Sequence, residues 1–175
     1  FSRAWSPGSG LSGVYDSYTD EILLLSLLAI GTSPDDLDYL RSFYSFPRTQ
    51  RSYQSPTGET FRLVNSFFGS AFTYLYAHNW FDFELLGNDQ PQRVSGKETV
   101  DSVNWWANSV QALRANRQFC IDRSSFFPFS FHSKSWGLSA VERPDNLYEG
   151  RYGAPPFNLG AHDGTVAVHI PVSTM

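Results

Sequence analysis

The chain has 175 residues, enough for one domain with a sizeable core, and 41% of them are hydrophobic. Aromatic residues reach 17%, while charged residues stay at 17%, below the usual quarter, and the net charge is -4. That balance, with the arginines scattered along the chain, argues against a nucleic-acid-binding surface and predicts no membrane attraction; neutral, hydroxyl-rich ligands fit better than polyanions.

In chain order, Phe1 to Gly13 is rich in Gly and Ser and reads as a loop. Thr19 can cap a helix that runs through Glu21, Leu24, Leu25, Leu28 and Ala29 to a stop at Gly31. This helix is apolar nearly all round, so it is expected to be packed within a larger body. Its apolar run, Ile22 to Ile30 broken by Ser26, is far too short to span a membrane. A second helix is expected from Ser33 as cap and Pro34 at the first helical position. Asp35 and Asp36 complement its dipole, Leu37, Leu40 and Phe43 follow, and Pro47 ends it.

Arg48 to Glu59 reads as a polar loop, and Phe61 to Trp80 as an aromatic stretch that is helical in its second half. Gly87 to Gly96 is a further loop. The strongest helix runs from about Lys97 to Ile121, with Glu98 and Asp101 in its first turn and Val103, Trp106, Val110, Leu113 and Phe119 at helical spacing. Cys120, the single cysteine, sits in that helix. It excludes an internal disulfide framework and a cysteine zinc cluster, and its apolar setting predicts a buried, inert thiol. Aromatic loops follow around Phe126 to Phe131, and a β-type run closes the chain at Thr165 to Ile170. No repeat or linker divides the sequence, so residues 1–175 form one domain or a piece of one.

The stretch Trp136 to Thr165 carries most of the functional signal. Glycines and prolines alternate there with aromatics and with Glu142, Glu149, His162 and Asp163, which is the profile of a rigid functional loop. Aromatic faces beside acids suit sugar rings, whose C–H faces stack while their hydroxyls meet polar groups. A structural loop pinned by its turns is the competing reading.

No G-x-S-x-G elbow, P-loop or H-E-x-x-H occurs. His78, His132, His162 and His169 lack paired metal-ligand spacing and read as hydrogen-bonding residues; no metal or organic cofactor is implied. Carboxylates remain as catalytic candidates, because glycoside hydrolysis needs one acid and one base or nucleophile. Asp20 and Glu21 head the apolar helix, where desolvation would raise a carboxyl pKa, or they simply complement its dipole. Asp82 lies inside the aromatic run Trp80 to Phe83, or is a salt-bridged loop acid. Asp163 stands beside His162, or forms an Asx turn ahead of Gly164.

The ordered segments Y-T-D-E-I-L-L-L-S-L-L-A-I-G-T-S-P, H-N-W-F-D-F, N-S-V-Q-A-L-R-A-N-R-Q-F-C-I-D, W-G-L-S-A, Y-G-A-P-P and D-G-T-V-A resemble the bacterial glycoamylase-like domain, from about Tyr15 to Met175. That family includes endo-β-1,2-glucanases and neighbours of other regions in cyclic β-1,2-glucan synthases. The resemblance implies a mainly α fold, an (α/α)6 toroid with long cleft loops rich in aromatics, Gly and Pro. A toroid needs more helices than this chain provides. The expectation is therefore a partial domain, truncated at both ends and lacking the remainder of its own barrel.

Carried over residue by residue, the resemblance implies Glu21 as general acid, with Tyr18 in the same motif. Trp80 and Asp82 would line a sugar subsite, and Asn116 and Arg117 would face the cleft from a helix end. Trp136, Tyr152 and His162 would bind substrate, with Trp80, Trp136 and Tyr152 stacking on sugar rings, and Asp163 or Asp82 would be the second acid. Ser139 stands where the family shows Thr and Glu142 where Asp is common. Val168-His169-Ile170 replaces the usual P-T-A. The implied activity is hydrolysis of a glucan, most specifically a β-1,2-linked one. Carboxyl groups about 6.5–9.5 Å apart would mean inversion and about 5–5.5 Å retention. A non-catalytic carbohydrate-binding protein on the same scaffold is the alternative.

Overall fold

The computed structural model describes residues 2–14, 20–32, 48, 50–91, 101–157 and 162–173. The helix expected from Ser33 to Phe43 lies outside them, as does Glu98.

Among the described residues the fold is mixed, with three two-stranded antiparallel sheets and five helices. Strands β1 (Ser2–Ser6) and β2 (Gly10–Val14) form a hairpin, as do β3 (Gln50–Gln54) and β4 (Thr60–Val64), and β5 (Val141–Glu142) and β6 (Tyr148–Glu149). The helices are α1 (Asp20–Thr32), α2 (Ala71–Leu75), α3 (Phe83–Leu86), α4 (Trp105–Asp122) and α5 (His169–Ser173). Only α1 and α4 exceed two turns. The expected mainly α toroid is thereby overturned. Alternating in–out side chains in β4, and the dense glycines and prolines of residues 137–164, do not support the long paired helices that a ring of helices requires.

Two expected loops are hairpins. In β4, Phe61 and Leu63 point inward, each 2% exposed, while Thr60 and Arg62 face out. The turn closes through Ser55 N–H to Glu59 O at 2.8 Å and Gly58 N–H to Ser55 O at 2.9 Å. Polar Gln50 to Gln54 hid its partner strand, because β3 is exposed at every position except half-buried Tyr53. The β1–β2 hairpin turns at Gly8 and pairs Trp5 with Leu11, both largely exposed.

Helix α4 begins at Trp105, later than expected. Asn104 caps it by accepting from Ala107 N–H at 2.8 Å. Ahead of it, Asp89 receives Val103 N–H at 2.8 Å, Trp105 Nε1–H at 2.9 Å and an ion pair from Arg48 at 2.9 Å. These contacts hold the entry chain extended, so Asp101 stands before the helix. At the other end, the expected β run is a bend leading into α5. Ala167 donates to Gly137 O at 2.8 Å, and no neighbouring strand among the described residues pairs with it.

α4 packs against β4, α2 and α3, and apolar clusters gather around it. Ile22, Leu23 and Leu24 of α1 join Val64, Ala77, Phe83, Val103 and Trp105. Phe61, Leu63 and Tyr74 meet Ala112 and Ala115. Phe119, Cys120, Phe131, Trp136, Leu138, Ala154 and Ile170 form the third. Cys120 is fully buried, as expected, and its thiol is pushed up to about 12, mainly by burial and against a hydrogen bond with the Gly137 backbone.

Candidate functional site

Two groups of predicted residues come together, each beside a different part of the core. The first surrounds the turn after α2. A three-residue turn, Ala77–Asn79, leads to Trp80 and then to Asp82, the cap of α3, whose Oδ1 accepts from Leu85 N–H at 3.0 Å. That cap is the one hydrogen bond of the Asp82 side chain among the described residues; it is not an ion pair. His78, Trp80, Asp82, Phe83, Glu84 and Trp106 line an open concavity of ≈ 360 Å³. Trp80 is 67% exposed and Trp106 40%, so both present aromatic surface to solvent. α1 packs against α2 and against the Ala77–Asn79 turn. Glu21 stands in the first turn of α1; its side chain is outside the described part of the structure, and so is Tyr18.

The second group lies in the long loop. Tyr152, 3% exposed, donates its hydroxyl to Asp163 Oδ2, while Asp163 Oδ1 accepts from Thr165 N–H at 2.9 Å. Burial raises the Asp163 carboxyl, but the Tyr152 hydroxyl and the Thr165 donors outweigh it and hold the group below the usual range. Hydrogen bonds of this kind favour the ionised form of a carboxyl group. Tyr152 is raised by burial and by the same bond. His162 packs on Phe119 at 5.2 Å and Phe131 at 6.3 Å, and neither ring nitrogen has a hydrogen-bond partner among the described residues. Burial, and then Arg123, hold it below its ordinary value, with Asp163 opposing. Beside Tyr152, Arg151 grips Glu149 through Nε at 2.8 Å and Nη2 at 2.7 Å, drawing its carboxyl down to about 2.

Other predicted residues are structural in their contacts. Trp136 is a core side chain, 9% exposed. Arg117 is exposed and donates to Ser133 O at 3.2 Å. Asn116 does not face a cleft. It is 1% exposed, donating from Nδ2 to Leu138 O and accepting from Leu138 N–H, each at 2.9 Å. Asn108 does the same to Val64, accepting at 2.7 Å and donating at 3.1 Å. Sequence reasoning missed these clamps; the available signal was an amide at both positions of an otherwise apolar helix face. His78 was also passed over as a site residue, although it adjoins the W-F-D-F run. Among the described residues no group of three or more His, Cys, Asp or Glu is placed to hold a metal ion, and no described helix is long and apolar enough to cross a membrane.

The loop's glycines explain the Y-G-A-P-P spacing. Gly69 and Gly153 cross so closely that a Cβ on Gly153 would meet Phe68 O at 1.9 Å, and one on Gly69 would meet Ala154 O at 2.1 Å. Ala154 N–H donates to Gly69 O at 3.0 Å across this crossing. The long loop is thereby fixed to the segment that opens α2.

Compared with known proteins, the chain matches no curated protein and no solved structure. The glycoamylase family model, described as "Putative glucoamylase", matches residues 14–175, which takes in both groups of residues and all of the long loop. The chain belongs to the glycoamylase family, a glycoside-hydrolase-related domain.

Proposed function

We propose that this chain hydrolyses a glucan, most specifically a β-1,2-linked one, by paired carboxylate chemistry. The observation that carries the reading is Asp163, an acid held ionised by Tyr152 and Thr165 within a chain whose family membership spans residues 14–175. Glu21 is the proton donor. Water attacks the anomeric carbon, the glycosidic C–O bond breaks, Glu21 gives its proton to the leaving oxygen and Asp163 accepts one from the water. Asp82 is the second candidate for that acceptor. Trp80 offers a stacking face; Tyr152 acts through Asp163; Tyr18, Arg117 and His162 contact the sugar. Trp136, packed in the core, supports the loop.

Product analysis with linear β-1,2-glucan, beside starch and β-1,3-glucan, tests this. Short oligosaccharides from the β-1,2 polymer alone, lost in Glu21→Gln with binding retained, are the expected result. Products from starch alone would move the linkage.

One observation favours a second reading. Asp82 serves as a helix cap and Asp163 closes a turn, so both acids have structural employment. A carbohydrate-binding protein needs no more from them. Saccharide binding without products, unchanged in Glu21→Gln, would select it.

A further inference from the structure

The concavity beside α3 contains a histidine whose surroundings exceed what packing requires. His78 Nε2 lies 2.8 Å from Ser109 Oγ on α4, and Ser109 is 3% exposed. The imidazole packs edge-on against Phe83 at 4.8 Å and Trp106 at 5.7 Å. Its Nδ1 is enclosed and has no partner among the described residues. An enclosed ring nitrogen without a partner costs free energy, and a phenyl ring would fill the same space without that cost. What the imidazole adds is the bond to Ser109. That bond ties the Ala77–Asn79 turn, and so Trp80 two residues on, to the helix that carries Trp106.

We propose that His78, anchored by Ser109, is a positioning residue for a saccharide subsite in this concavity, and that Trp106 supplies a second aromatic face there besides Trp80. This rests on the saccharide reading above. The ligand class follows from the lining. Two exposed tryptophans accept the C–H face of a sugar ring, while the carboxylates of Asp82 and Glu84 accept hydroxyls and repel anions. The concavity, ≈ 360 Å³, falls within the ~300–1,000 Å³ of ligand sites. A neutral oligosaccharide fits these features; a phosphorylated or uronic acid chain does not.

Calorimetric titration of the full chain with a neutral β-1,2-linked gluco-oligosaccharide tests the proposal, using Trp80→Ala, Trp106→Ala, His78→Ala and His78→Gln. Trp106→Ala is expected to weaken binding about tenfold, the loss of one stacking partner. His78→Ala is expected to weaken it by a similar factor. His78→Gln, whose amide can reach Ser109, should recover most of the loss, which a merely space-filling role would not predict. Trp106 is partly exposed, so its variant keeps the test usable if His78→Ala fails to fold. Binding lost in Trp80→Ala but unchanged in Trp106→Ala and in both His78 variants overturns this inference and leaves the saccharide reading standing. No binding by the unmodified chain overturns both.

Discussion

Asn116 holds Leu138 by both of its backbone polar groups, donating to the carbonyl and accepting from the N–H at 2.9 Å in each case, with the residue 1% exposed. Truncation leaves the buried Leu138 N–H without a partner, at a cost of about 1–3 kcal/mol, while the Leu138 carbonyl keeps the Ala71 N–H at 3.0 Å. Asn116→Ala should therefore lower stability by about 1–3 kcal/mol in urea unfolding. A change under about 0.5 kcal/mol, typical of surface sites, would mean that the clamp is not formed.

Gly153 is the stricter test of the long loop. A methyl group there meets Phe68 O at 1.9 Å and cannot be absorbed by a side-chain rotation, because the obstacle is backbone. Gly153→Ala and Gly69→Ala should each destabilise by about 2 kcal/mol or more in thermal or chemical denaturation. Gly58→Ala, where a Cβ meets nothing within 4 Å but φ is +97°, should cost less, about 1 kcal/mol.

Acid should weaken the fold in two stages. His78 and His162 are both held below their ordinary 6.5 by burial. The unfolded chain takes up protons first as pH falls through that value, so stability declines from there downward. Glu149, drawn from an ordinary 4.5 to about 2 by Arg151, and Asp163, lowered against its burial, add a loss that begins below pH 4.5. Tm measured from pH 8 to pH 4 should be flat above 7 and fall below 6.5. His162→Phe should shrink the upper stage to the share of His78 and leave the lower stage unchanged.

The Cys120 thiol should be silent in the native protein. It is fully buried and its pKa stands at about 12, so the reactive thiolate is essentially absent at neutral pH. A thiol reagent should label it only after denaturant is added; labelling at the rate of a free thiol would show an open core around Phe119.

Tyr152→Phe separates two roles for the loop. Removing the hydroxyl takes one donor from Asp163, so the carboxyl rises toward its ordinary value. The acidic limb of kcat/KM should then move to higher pH, and activity at low pH should fall more than activity at neutral pH. An unmoved limb would remove Asp163 from the reaction.

The long helices were legible because their signals are local. Apolar runs and spacing marked α1 and α4, although Asn104 and Asp89 set the start of α4 by contacts that distance in sequence conceals. The β3–β4 hairpin was not legible from composition, since Gln50 to Gln54 has polar residues on both faces. Its inward partner strand reveals it only when Phe61 and Leu63 are read as alternating. Resemblance alone supplied the toroid, and the hairpins correct it. In the site, residues adjacent in sequence (Trp80 with Asp82, His162 with Asp163) were found together. Tyr152 with Asp163, and His78 with Ser109, needed the fold. Trp136 shows the converse hazard, since a tryptophan in an aromatic loop can as readily be the loop's anchor as its binding face.

The two asparagine clamps fix the phase of α4. Asn108 and Asn116 are eight positions apart, about 12 Å along the axis, and one reads Val64 while the other reads Leu138. Adding or deleting a single residue between them would swing one amide about 100° around the helix and shift it about 1.5 Å. Whichever clamp stayed seated, the other would face the wrong neighbour. The interval from 108 to 116 therefore behaves as a ruler of set length: substitutions on its outer side, such as Arg114, are free to vary, while insertions and deletions are not.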